Sequence, residues 1–252
     1  MKMPPSFCLL PLLFTSLLQA AEPAVDPATL HPFPALTPEE ALRRFELVPG
    51  FRIELAACEP EVVDPVAMAF DGRGALYVVE MRDYSERRAE KLSRVRRLTD
   101  RDGDGRFETS TIFLEGLAWA TGVACFEHFV IVLASPDVIL ARDVDGDGRA
   151  DERRVIVTGF GEGRPRLNVQ ALPNSLTWGP DGRLHGATAG NGGRLRRVVD
   201  GAPAGEAVDV NGADFSLGAG TWDVRAEAGT AQFGLTFDAL GRKFVCSNSH
   251  HI

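Results

Sequence analysis

The sequence is short of the residues that most often announce chemistry. It has 4 cysteines in 252 residues. Cys58, Cys125 and Cys246 stand far apart, and Cys8 lies inside an apolar N-terminal run. That spacing excludes a disulfide framework and predicts free, buried thiols. No C-x-x-C-H is present, so this stretch offers no site for covalent haem attachment. The glycine cluster Gly190–Gly193 lacks the Gly-Lys-Ser/Thr ending of a phosphate loop. Neither a nucleophile elbow nor an H-E-x-x-H helix occurs. Positive charge is also scarce: 27 Lys and Arg face 35 Asp and Glu, a net charge of −8. Nucleic acid and anionic membrane are poor partners for such a surface. The apolar run Phe7–Leu18 is too short for a comfortable membrane span, so no transmembrane span is expected in the mature chain. Helical periodicity is nearly absent beyond residue 45.

What is present instead is a repeat. A large apolar residue, a turn built on Asp and Gly, and a second apolar run recur down the chain. The phrase reads Phe70-Asp71-Gly72-Arg73-Gly74-Ala75-Leu76-Tyr77, then Trp178-Gly179-Pro180-Asp181-Gly182-Arg183-Leu184-His185, then Phe237-Asp238-Ala239-Leu240-Gly241-Arg242-Lys243-Phe244. A degraded copy surrounds Phe126-Glu127-His128-Phe129. Anchors roughly 50–60 residues apart, joined by short strand-like runs, predict an all-β chain of β-propeller blades. About four blades fit, and the last is cut short near Ile252, so an incomplete ring is expected.

Three segments follow from composition. Residues 1–21 read as a secretory signal, with Lys2 before the apolar run and the small residues Ala20 and Ala21 after it. An uncleaved N-terminal anchor is the alternative; a cleaved signal implies the periplasm or the outside of the cell. Residues 22–44 form a Pro- and Ala-rich leader ending in a short helix, with Thr37 as its cap, Pro38 at its first position and Glu40 completing a capping box. Residues 45–252 hold the blades. Phe51, Ile53 and Leu55 alternate with polar residues, as in an outer strand. The charged stretch Arg82–Ser93 reads as a solvated loop or short helix.

The strongest local signal is a pair of acidic loops. One places Asp100, Asp102, Asp104 and Glu108 at positions 1, 3, 5 and 9. The other places Asp143, Asp145, Asp147 and Asp151 at the same positions. Both carry Gly at position 6, which permits the sharp turn that folds hard oxygens around one point. Such oxygen-rich geometry suits calcium better than zinc. Thr111 and Arg154 occupy position 12, where an EF-hand has Glu, and the flanks are strand-like. The expected site is therefore a calcium loop at a β-hairpin tip, with plain Asp-Gly turns as the alternative.

Two further groups are candidates. His185 precedes a run of small residues through Gly193, which would let a flat ligand approach the backbone. A packed or hydrogen-bonded core histidine is the alternative. His250 and His251 are adjacent, so on a strand only one can face a shared site. His185 and His251 are the candidate general bases. The stretch Arg164–Gln170 offers Arg166 and Asn168 for hydrogen bonds to sugar hydroxyls or a carboxylated cofactor, and equally suits an inter-blade loop.

Taken in order, several phrases carry a resemblance. They are Leu36-Thr37-Pro38-Glu39-Glu40-Ala41, Pro49-Gly50-Phe51-Arg52-Ile53, Asp64-Pro65-Val66-Ala67-Met68-Ala69-Phe70-Asp71, the two D-x-D-G-D-G loops, and Asn174-Ser175-Leu176-Thr177-Trp178-Gly179. They resemble the N-terminal propeller of the secreted membrane-bound dehydrogenase proteins, also called PVC-type haem-binding CxxCH proteins. Those propellers are similar to glucose/sorbosone dehydrogenases. The resemblance implies a quinone-dependent oxidoreductase acting on a small carbohydrate or alcohol. In it a histidine takes the hydroxyl proton, an arginine contacts pyrroloquinoline quinone, and calcium polarises that cofactor. It also implies a c-type cytochrome domain or partner, with haem c carried only by longer relatives. The alternatives are a non-catalytic, calcium-stabilised propeller that binds a glycan or a partner protein, and an inactive fragment of a longer haem-c dehydrogenase.

Overall fold

The computed structural model describes residues 34–248. The signal segment, Cys8, His250 and His251 lie outside the described residues.

The repeat phrases fold as antiparallel meanders. Blade one is β1 (Pro65–Phe70), β2 (Leu76–Glu80), β3 (Ser93–Thr99) and β4 (Thr109–Leu117), hydrogen-bonded in chain order. Blade two is β5 (Ala120–Phe126), β6 (Phe129–Ala134), β7 (Asp137–Arg142) and β8 (Glu152–Phe160). Blade three starts with β9 (Asn174–Trp178) and β10 (Arg183–Ala187), and closes with β13 (Asp214–Gly218) and β14 (Val224–Glu227). A fourth unit contributes β15 (Leu235–Phe237) and β16 (Lys243–Val245). The repeat anchors Phe70, Phe126, Trp178 and Phe237 each end the first strand of a unit. Those first strands stand side by side in succession, β1 against β5, β5 against β9, β9 against β15. Sequential meanders sharing a row of inner strands define a β-propeller.

Blade three is interrupted in a way that the repeat did not announce. The hairpin β11 (Gly193–Val199) and β12 (Ala202–Asp209) leaves it and extends the outer edge of β8, making a six-stranded sheet. Gly193, the last of the glycines that suggested a ligand's approach, has this task. A Cβ at Gly193 would lie 2.2 Å from the Gly159 carbonyl oxygen, and one at Gly159 would lie 2.2 Å from that of Arg194. Only glycine at both lets the two backbones pair.

The core lies between blades. Ile131, Leu133, Leu140, Leu184, Phe215 and Leu217 fill the space between blades two and three. Tyr77, Val79, Val95, Phe113, Val123 and Val132 fill that between blades one and two. Alternating positions of one strand serve successive clusters, so a strand buried on both sides reads as a continuous apolar run. β2 and β10 are both buried at every residue, although β10 carries Arg183 and His185 and so does not read as an apolar run.

Before the blades comes α1 (Pro38–Leu42), with both bonds of the Thr37–Glu40 capping box formed. Residues 51–58 do not form a strand, contrary to the alternation of Phe51, Ile53 and Leu55; no ladder runs beside them. Their place is nonetheless strand-like. Phe107 N–H donates to Ala56 O at 2.8 Å, and Ala150 N–H donates to Phe113 O at 2.8 Å. Phe107 and Ala150 occupy the same position, the eighth, in the two acidic loops. The extended segment therefore stands toward blade one as β4 stands toward blade two. Phe51 is exposed there because no neighbouring strand covers it.

Candidate functional site

The blades present two faces. Hairpin turns after each first and third strand lie on one, and the remaining connections lie on the other. Both acidic loops are on the turn face, at the β3–β4 and β7–β8 tips.

The two loops fold through one hydrogen-bond pattern. Asp100 accepts from Gly103 N at 2.7 Å and Gly105 N at 2.9 Å, and Asp143 accepts from Gly146 N at 2.7 Å and Gly148 N at 2.8 Å. Asp102 accepts from Asp104 N, as Asp145 does from Asp147 N. At position 9, Glu108 accepts from Arg101 N and Asp151 from Val144 N. Four glycines at positive φ, from +79° at Gly103 to +92° at Gly105, hold the turns. Backbone N–H donors from Gly105 and Gly103 hold the Asp100 carboxyl below its ordinary value, because they favour the charged form.

Oxygens of Asp100, Asp102, Asp104 and Glu108 come within 4.8 Å of one another, as do those of Asp143, Asp145 and Asp151. Asp147 stays outside the second group, although its sequence position matches Asp104. The local bond does not explain this, since Asp104 Oδ1 accepts from Arg106 N at 2.7 Å just as Asp147 Oδ1 accepts from Arg149 N at 2.8 Å. These clusters are the residues able to hold a hard cation. Each is pinned to the preceding unit through the position-8 bond already described, so a cation here would stiffen a contact between units rather than an isolated tip.

His185 sits on β10 close to the turn face. Its Nε2 lies 3.0 Å from Asp181 Oδ1 and 3.2 Å from Oδ2. Its Nδ1 is buried without a partner, and its ring packs edge-on to Phe237 at 5.0 Å. Gly179 creates this arrangement. A Cβ there would stand 2.6 Å from Asp181 Oδ1 and 2.7 Å from the His185 ring. Burial pushes the Asp181 carboxyl up, but the His185 hydrogen bond and the Arg183 N–H outweigh it and hold the group below its usual value. The pair thus resembles a hydrogen-bonded core histidine. Asp181, four residues before His185, was readable as its partner from the sequence.

Arg166 and Asn168 lie on the opposite face, in the connection from β8 to β9. The five residues of β9, rising about 3.3 Å each, separate them from the turn that carries Asp181. His185 and these two residues do not converge. Arg166 is exposed and 3.5 Å from Glu86. Asn168 Oδ1 accepts from Gln170 N, and its backbone pairs both ways with the Asn191 side chain. Together they line a cavity of about 410 Å³ with Arg88, Leu167 and Trp119.

Sequence reading missed the polar frame under that cavity. Asp83 is fully buried and accepts from Ser93 Oγ and from Trp119 N at 2.9 Å, while Trp119 Nε1 donates to Asp83 O. Arg88 stacks on Trp119 at 5.2 Å. Both Asp83 and Arg88 lie in the charged stretch that reads as solvated, and only folding brings it over Trp119. The thiols of Cys58, Cys125 and Cys246 are free and half-buried; burial pushes that of Cys125 up to about 12.

Several carboxyls besides Asp181 have depressed values. Asp223 is held down by the Thr221 hydroxyl against the upward push of burial, Asp209 by Asn211, and Asp238 by the Arg242 backbone N–H. Depressed folded-state values stabilise the fold above the unfolded carboxyl value near pH ~4, and that contribution is lost as pH falls through the folded values. Denaturant midpoints are therefore expected to hold from neutral pH down to about 4 and then drop. A midpoint that rises on acidification below that point contradicts the assignment.

The fold and its two faces define a β-propeller. The chain belongs to the family described as "Domain of unknown function (DUF7133)", whose model matches residues 37–252. No curated protein matches the sequence. Among solved structures, the chain is similar to a chain of a nidogen/laminin complex (15% identity, 70% of this chain and 53% of that one, TM-score 0.41). It is also similar to an oxidoreductase described as a glucose dehydrogenase from Thermus thermophilus (18% identity, 68% and 63%, TM-score 0.40). A third is the periplasmic gluconolactonase of Pseudomonas aeruginosa (15% identity, 71% and 63%, TM-score 0.42). The chain spans between 53% and 63% of the length of these three. Among the described residues no helix is long and apolar enough to cross a membrane.

Proposed function

We propose that this domain is a secreted propeller, built like the sugar and alcohol dehydrogenases that use a quinone, in which calcium at the two acidic tips locks successive units together. The observation that carries this reading is the recurrence of one hydrogen-bond pattern at two tips, each with carboxylates converging within 4.8 Å and each tied at position 8 to the unit before it. Carboxylates so close repel one another, and a divalent ion removes that repulsion only in the folded state. Calcium at about 100 times its Kd is expected to add roughly 2.7 kcal/mol per site, seen as a higher melting temperature that EDTA reverses. Asp100→Asn and Asp143→Asn should each remove about half of the shift. A melt indifferent to calcium and EDTA overturns the loop assignment.

The face opposite the tips supports ligand recognition. Its 410 Å³ cavity combines the Trp119 ring with Arg88, Arg166 and Asn168, a mixture suited to a sugar or a carboxylated cofactor such as pyrroloquinoline quinone. One observation favours a binding role without chemistry: His185 does not line this cavity and is engaged with Asp181. Dye reduction with pyrroloquinoline quinone, calcium and a panel of aldoses separates the two readings. Turnover abolished by Arg166→Ala supports the dehydrogenase, and ligand binding without turnover supports the binding module. The sequence resemblance to secreted haem-c dehydrogenases supports the first, with electron transfer supplied by a c-type cytochrome domain or partner.

A further inference from the structure

A second cavity adjoins the first, on the outer side of Arg88, in the groove between blades one and two. It encloses about 700 Å³, which falls within the usual size of a small-molecule site. Its floor is apolar, with Leu117, Ile139 and Val155, and its walls carry Arg88, Lys91, Arg153 and Arg154. Four cations gather around this one groove on a chain of net charge −8.

Two acids also stand on the wall, and both have partners, though only Glu86 is paired with a cation. Asp137 accepts from Thr158 Oγ1 at 2.6 Å, and Glu86 faces Arg166 at 3.5 Å. Lys91 makes no ion pair among the described residues, and Arg153 has only a long 3.4 Å contact to the Glu115 carbonyl oxygen. Two polar atoms at the groove are buried without partners, Arg88 Nε and Ser135 Oγ. Ser135 is 2% exposed. Arg88 itself is fixed, because its Nη2 donates to Ser135 O at 2.9 Å while its guanidinium stacks on Trp119. A buried donor left unsatisfied is costly unless something is meant to satisfy it.

We propose that this groove binds a small anion carried on an apolar body, a carboxylate or a phosphate monoester. The charged head meets Arg88, Lys91, Arg153 and Arg154, and the body lies on Leu117, Ile139 and Val155. A guanidinium held rigid by stacking loses little entropy on pairing with such a head. The groove is distinct from the cavity assigned to the proposed function, although Glu86 and Arg88 border both.

Titration calorimetry on the full chain tests this, with benzoate, phenyl phosphate and the uncharged benzyl alcohol as probes. The anions are expected to bind and benzyl alcohol is not. Stronger binding of phenyl phosphate than of benzoate assigns a phosphate ligand, and the reverse assigns a carboxylate. Arg153→Gln, at an exposed edge, and Arg88→Gln are each expected to weaken anion binding roughly ten-fold, and added salt to weaken it further. Arg106→Gln, on the opposite face, should leave it unchanged. The titrations are run in EDTA as well as in calcium, so failure of the calcium reading does not touch the result. Unchanged affinity in Arg153→Gln, equal binding of benzyl alcohol, or no binding of either anion in the millimolar range to folded protein overturns the proposal. If Arg88→Gln fails to fold, Arg153→Gln alone decides.

Discussion

Glu80→Ala is expected to destabilise the domain by about 3–5 kcal/mol. Glu80 ends β2 with no exposed surface. One carboxylate oxygen pairs with Arg94 Nε, and the other accepts from Val63 N at 2.8 Å and lies 3.3 Å from Arg96 Nε. Removing the carboxylate strands two guanidinium groups whose side chains are only 14% and 15% exposed. It also removes the bond that ties the chain entering blade one to the end of β2. Glu80→Gln keeps one acceptor oxygen for Val63 N–H and leaves no cavity, but it loses the charge and sets an NH2 donor against Arg94 Nε; it should still cost less, about 1–3 kcal/mol. Urea denaturation of the two variants checks the order. Equal midpoints for wild type and Glu80→Ala would show that the two arginines find water or other partners without loss.

Phe215→Ala should cost a similar amount, about 3–5 kcal/mol, for a different reason. The side chain is fully buried between blades two and three, with its ring centre 5.0 Å from that of Phe160 in an edge-on contact. It also lies directly over Gly186, where a Cβ would stand 2.4 Å from its Cζ. Deleting the ring opens a cavity bounded by two sheets, which cannot close it without moving relative to one another. The loss should appear as a lower urea midpoint at unchanged slope. Phe215→Leu, which keeps most of the volume, should cost less than half as much. A small effect of Phe215→Ala would mean that the inter-blade space repacks freely.

Much of this architecture was legible because it is local. The anchors Phe70, Phe126, Trp178 and Phe237 end the inner strands because each is followed by a tight turn, and turn chemistry is written in adjacent residues. The capping box at Thr37 and the shared geometry of the Asp100 and Asp143 loops are equally local: donors and acceptors lie within a few residues of one another. The alternation in Phe51, Ile53 and Leu55 was legible too, yet no strand results, since a strand is defined by a neighbour and periodicity cannot supply one.

Long-range partners decided the rest. Nothing in Gly193 states that it will meet Gly159, or that β11 will leave its own blade to join β8. The stretch from Arg82 to Ser93 reads as solvent-loving, yet the fold buries Asp83 beneath Trp119 and lays Arg88 across the boundary of two blades. The Phe237 ring packs edge-on against His185 from a different unit, which no spacing announces. Composition and spacing determined that the chain is all-β, that its units repeat, and where its carboxylates gather, because those properties depend on neighbours in sequence. Which side chains share a cavity, and on which face, was settled only by the stacking of blades, which brings together residues whose separation along the chain carries no trace of their contact.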